Sequence, residues 1–265
     1  MTEQLDVGSA VLRVLQTADP RAKVMAARHA AREWRLGRLA HGFGEAMPDM
    51  PARPDHPVLM RPRDMPRRGK GTSVARRIAL IHALAHIEFV AIDLAFDIIG
   101  RFGAQFPREF IDDWMRVGAE ESMHFALLDR RLRDQGSFYG ALPAHDGLWD
   151  SAKNTAHDVS ARLAIVPMVL EARGLDVTLE TVERFRQQGD KLTAKVLERI
   201  YHDEIVHVSF GTKWFEIVCE KGNLAPHTHW KNLVKAHFKG GLKPPFNDSA
   251  RQTAGLTREY YYGIE

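Results

Sequence analysis

The stretch WMRVGAEESMHFALL, residues 114–128, puts a glutamate and a histidine where an apolar helix face should be. Around Glu121, the positions three, four and seven residues away are Trp114, Val117, Gly118, His124, Phe125 and Leu128, which share one side of an α-helix. That acid is directed into a core. Three further carboxylates repeat the pattern. Glu88 has Ile81, Leu84, Ala85, Ala91, Ile92 and Ala95 at these spacings, and Glu171 has Ala164, Pro167, Met168, Gly174 and Leu175. Glu204 has Leu197, Ile200, Tyr201, His207, Val208 and Gly211. Each long helical pattern therefore carries one inward-facing acid.

Burying an ionised carboxylate costs several kcal/mol even after relaxation, and neighbouring carboxylates add repulsion. A cation must compensate. No lysine or arginine lies on these stripes near the acids, whereas His124 and His207 each follow a glutamate by three residues. That spacing brings both side chains of a pair to one helix face, within reach of a common ion. Four carboxylates and two neutral imidazoles match two divalent cations in charge and in ligand number.

Glu-x-x-His is weak by itself, since 16 Glu and 13 His in 265 residues give about one occurrence by chance. The register is more informative. Glu88 to Glu121 spans 33 residues, as does Glu171 to Glu204, so Glu88, Glu121 and His124 map onto Glu171, Glu204 and His207 by one shift of 83. A two-helix unit used twice accounts for this.

Outward from these motifs, periodicity predicts helices over Val74–Phe102, Pro107–Gln135, Ala152–Arg173 and Asp190–Glu220, with a shorter one near Leu179–Gln188 after Gly174. A long connection, SFYGALPAHDGLWDSA, separates the two pairs, and no alternating strand of useful length is present. The expectation is an all-α fold, a four-helix bundle with one crossover. Before it, a segment over Val7–Gln16 and an Ala/Arg-rich helix over Arg21–Leu39 lead into a proline-rich connector from Met47 to Gly71. The division expected is 1–71 as an extension packed on the bundle, 72–222 as the bundle, and 223–265 as an irregular wrap. The connector's Arg61, Arg63, Arg67, Arg68 and Lys70 read as a solvated basic loop.

Composition sets the outer limits. With 265 residues, 45% hydrophobic and 27% charged, the chain is neither disordered nor a small stapled scaffold. A single cysteine, Cys219, allows no internal disulfide and suits a reducing, cytoplasmic setting. The start lacks the basic-then-apolar pattern of a secretory signal. The apolar run from Ile78 to Ile99 is interrupted by His82, His86, Glu88, Asp93 and Asp97, which argues against a membrane span. A net charge of +3 does not by itself point to a nucleic-acid partner.

The segments AHIEFVAIDLAFD, EESMH, VLEARGLD and DEIVH resemble the ferritin-like di-metal carboxylate superfamily, in which two helices give one Glu and two give Glu-x-x-His. The likeness covers about Thr72 to Gly222 and is greatest to a bacterial ferritin-like family without an assigned reaction. It implies that Glu88 and Glu171 are terminal metal ligands, that Glu121 and Glu204 bridge two ions at the catalytic centre, and that His124 and His207 each hold one ion. By the same likeness Asp203 orients a ligand histidine, with Glu120 in its place in the first half. His82, His86, His157 and His202 are expected in packing or surface roles, Tyr201 in the core, and Arg162 and Arg173 in solvent. Pro167, one turn before Glu171, kinks the third helix or is a simple irregularity.

An oxygen-rich donor set favours iron, then manganese, over thiolate-loving metals. The function expected is a dinuclear iron or iron–manganese oxidoreductase of hydroxylase or oxidase type. It would use dioxygen or peroxide, an electron donor and a small-molecule substrate, and a homodimer is compatible with it. Two alternatives are a metal-handling or peroxide-detoxifying protein, and a tRNA-modifying hydroxylase docking RNA on the basic connector.

Overall fold

A computed structural model of the chain describes residues 5–66 and 73–264; Arg67, Arg68 and Lys70 of the basic connector lie outside the described residues. Within them the protein is all-α with no β-strand, apart from isolated bridges pairing Asp6 with Ala40 and Leu59 with Ala144. The chain divides into two compact units, Met1–Trp149 and Asp150–Glu265.

The first unit opens with α1 (Val7–Leu15) and α2 (Pro20–Arg35). Asp19 caps α2 by accepting from the Ala22 amide at 2.8 Å, and Pro20 occupies its first turn. After the proline-rich segment come α3 (Val74–Phe102) and α4 (Arg108–Asp134), with Pro107 as the α4 cap residue. From Glu88 to Ile99 every α3 residue is buried, so this helix is apolar all round because it is covered all round. It has the length and hydropathy of a membrane-crossing helix, but here α1 and α4 pack against it. Gly118 of α4 permits the closest approach: a Cβ there would come 2.5 Å from the Phe96 ring. Helix α2 lies against α4.

Two fully inaccessible groups tie the N-terminal segment to α3. Asp93 is ion-paired with Lys23 of α2 and with Arg53, which also reaches Asp146 at 3.5 Å. Burial pulls the Lys23 ammonium below its usual value and outweighs the opposing pull of Asp93.

The short α5 (Gly147–Asn154) precedes the second unit's helices. There α6 (Val159–Ile165), a π-helical turn (Val166–Glu171) and α7 (Ala172–Gln187) run on without a break. Two sequence expectations change here. The third helix starts at Val159 rather than Ala152, because Asp158 caps it by accepting from the Ser160 amide at 2.7 Å and the Ala161 amide at 3.3 Å. It also continues through Gly174 into the segment expected to be separate, since a helical glycine costs only about 1 kcal/mol and packing overrides it. The π turn falls at Pro167, which has no N–H for the usual i−4 bond. Helix α8 (Lys191–Lys221) crosses this turn at Gly211, where a Cβ would sit 2.4 Å from Pro167 Cβ.

The tail is more ordered than an irregular wrap. It forms α9 (Pro226–His237), α10 (Asp248–Thr253) and α11 (Arg258–Tyr261). Trp230, Leu233 and Val234 supply a buried helical stripe, and the Trp230 indole donates to the Ala164 carbonyl at 3.2 Å. Arg251 of α10, buried, grips Asp176 of α7 with Nε–Oδ1 at 2.8 Å and Nη2–Oδ2 at 2.7 Å.

Candidate metal centre

In the first unit α3 brings Glu88, and α4 brings Glu121 and His124, to one buried spot. His124 Nδ1 lies 3.2 Å from Glu88 Oε2 and 3.4 Å from Glu121 Oε2. One ligand atom of each residue lies within 4.8 Å of those of the others. Bonds of about 2.1 Å to one ion place donor atoms roughly 3 to 4.2 Å apart, so this spacing suits a shared cation. The spacing follows from the sequence, because residues 121 and 124 share a helix face and Gly118 lets α3 come close.

Electrostatics point the same way. Burial raises the Glu88 pKa well above its ordinary 4.5, and the neighbouring Glu121 charge raises it further, while His124 pulls it down. Without a cation, this setting disfavours the ionised form of Glu88. Two carboxylates and an imidazole in a dry setting form a donor set of borderline-hard character, and it fits a divalent transition-metal ion.

The second unit carries the matching residues. His207 and Glu204 share a face of α8, with Nδ1 and Oε1 3.6 Å apart, and both are buried. Glu171 ends the π turn and is half-buried, less enclosed than its sequence neighbours suggest. Asp203 and Glu120, expected beside ligand histidines, each accept from an arginine one turn earlier: Arg199 Nε to Asp203 at 2.7 Å, and Arg116 Nε to Glu120 at 3.0 Å. These arginines also obey the 83-residue shift. The signal for them was an Arg four residues before the acid that precedes each Glu-x-x-His.

His82 and His86 hold the connection that leaves α4. The Gly140 amide donates to His82 Nε2 at 2.9 Å. His86 Nδ1 meets the Tyr139 hydroxyl at 2.8 Å, and its Nε2 meets the His145 carbonyl at 3.2 Å. Burial lowers both imidazoles to about 4. Tyr139, which sequence reasoning did not single out, sets its ring tilted against Phe89 at 5.3 Å and edge-on to Phe125 at 4.9 Å, the neighbours in sequence of Glu88 and His124. His157 and His202 are exposed, as expected for surface roles. Tyr201 is buried, and its hydroxyl accepts from Asn247 at 3.1 Å. Arg162 is a correction: it is buried rather than solvated, and donates to the Ala152 carbonyl at 2.6 Å and to the Thr155 hydroxyl at 3.1 Å. Arg173 is partly exposed and donates to the Lys243 carbonyl at 2.7 Å.

Comparison with known proteins gives a family match over residues 16–262, to the family described as "Protein of unknown function (DUF455)". An uncharacterized protein of Haemophilus influenzae is 38% identical over 234 residues, covering 84% of this chain and 81% of that protein. No solved structure matches the chain.

Proposed function

The chain belongs to the DUF455 family, and from its repeated carboxylate–imidazole sets we propose that it is a dinuclear metal oxidoreductase of the ferritin-like type. In this proposal residues 72–222 form the four-helix bundle, and the Glu88–Glu121–His124 and Glu171–Glu204–His207 sets share one pair of ions. The observation that carries it is the buried Glu88–Glu121–His124 group, whose ligand atoms lie within 4.8 Å of one another. The 83-residue register supports extending it to the second set.

Glu88 and Glu171 would serve as ligands to the ions from one helix of each pair, and Glu121, His124, Glu204 and His207 would hold them from the other. Iron is the preferred metal and manganese the second, because four hard carboxylates and two borderline imidazoles include no thiolate. When bound, the metals supply the redox equivalents for reducing dioxygen or peroxide. The protein's own part is to exclude water through the apolar surroundings of Glu88 and Glu121, and to hold the carboxylates where charge changes at the ions are offset. The substrate is a small organic molecule, and an external electron donor closes the cycle.

The test is metal content. Protein purified without added metal, and again after anaerobic loading with ferrous ion, is expected to hold about two ions per chain. Glu121→Ala and His207→Ala should each lose most of this while remaining helical by circular dichroism. Metal content equal to the parent in both variants overturns the assignment. A substrate oxidase stops consuming ferrous ion once its sites are full, whereas a metal-storing protein continues.

A further inference from the structure

The helix-pair repeat extends beyond the six proposed ligands. Asp93 follows Glu88 by five residues and Asp176 follows Glu171 by five, so the two aspartates obey the same 83-residue shift. Both side chains are wholly inaccessible to solvent. Each is gripped from outside the repeated helix pair: Asp93 by Lys23 and Arg53 of the N-terminal segment, and Asp176 by Arg251 of the C-terminal segment, with Arg173 of α7 itself a longer second partner at 3.5 Å. Lys23, Arg53 and Arg251 are not related by the shift, whose counterparts are Phe106, Gly136 and Met168. Two unrelated flanking segments thus meet the same demand at the same place in both halves.

We propose that Asp93 and Asp176 are positioning residues for Glu88 and Glu171, gripped by Lys23 and Arg53 on one helix and by Arg251 on the other. Five residues of helix turn about 140° beyond a full revolution, so each aspartate lies on nearly the opposite side of the helix from its glutamate. A directional ion pair on the back of the helix fixes the rotation and depth at which the glutamate is offered on the front. Simple anchoring needs no charge there. Apolar side chains of similar volume hold a helix in a core as well as a buried ion pair does, or better, but they leave its rotation less defined. The paired arrangement of Arg251 on Asp176 supplies that definition through two parallel hydrogen bonds.

This inference rests on the proposed metal site, and its test separates the two. Cobalt(II) serves as the probe, with affinity measured by competition against a chromophoric chelator and geometry by the visible absorption bands of the ion. The double variant Arg251→Met/Asp176→Leu removes the charges and keeps the volume. It is expected to melt within a few degrees of the parent, yet to bind cobalt at least ten-fold more weakly and with altered bands. Parental affinity and bands in that variant overturn the positioning role. Arg251→Lys keeps the charge but loses the two-pronged geometry, and it folds even where the double variant does not. A several-fold weaker affinity is expected for it, and parental affinity again overturns the proposal. Failure of the parent to bind cobalt overturns the metal site itself, and the positioning role with it.

Discussion

Glu88 makes the metal-free protein sensitive to pH in a direction opposite to carboxylates held in ion pairs. Its folded pKa lies above its unfolded value near 4.5, so between those two values the folded chain holds the extra proton. The stability Glu88 contributes is present below about 4.5 and is lost as pH rises through the folded value. Metal must displace that proton, so affinity is expected to rise with pH across the same window. Thermal melts of the metal-free protein should show the loss, and Glu88→Gln should remove it. His82 and His86 work the other way. Lowered from 6.5 to about 4, they are neutral in the fold, and the unfolded chain takes up protons first as pH falls from 6.5. Stability should drop over that range by at most about 3 kcal/mol per histidine. His86→Gln should flatten the decline by roughly half, and a slope unchanged in that variant would count against the assignment. The histidines were legible as helix residues but not as anchors, because the Tyr139 and Gly140 partners sit in a connection without periodicity.

At the scale of elements, the long helices could be read from the chain almost to the residue. For α3 and α4, apolar spacing persists over many turns, and a charged group in such a stripe stands out; that is why Glu88, Glu121 and His124 were found. The third helix was harder. Its π turn at residues 166–171 inserts an extra residue into the winding, so positions inferred from a 3.6-residue repeat slip out of phase there. Glu171 is accordingly less enclosed than its apolar neighbours implied. The tail helices were missed because four- to twelve-residue elements offer too few turns to show a period. Two close contacts give stability predictions for these elements. Gly211→Ala must push aside the Pro167 ring and Gly118→Ala the Phe96 ring, and each should cost about 1–3 kcal/mol in denaturant melts. The proline ring has less freedom to move, so the Gly211 variant should be the more damaging of the two.

Across the whole molecule, the segments before α3 and after α8 supply charges that the long helices lack. Deleting residues 247–264 removes Arg251 and leaves the buried Asp176 carboxylate with only the longer Arg173 contact at 3.5 Å, a loss expected to cost about 3 kcal/mol beyond any lost packing. Asp176→Asn placed in the shortened chain should recover part of that by differential scanning calorimetry, whereas the same substitution in the full chain should destabilise it. What the N-terminal segment delivers was not legible in the sequence, because a lysine or arginine in a polar stretch shows nothing of the acid it will meet. A protein engineer wishing to trim this chain to a minimal scaffold would therefore fail by cutting at the helix boundaries alone. The excised core would carry one bare anion, Asp93, and a second, Asp176, left with a single partly exposed arginine, and both would need rewriting as uncharged side chains before the fragment could serve as a building block.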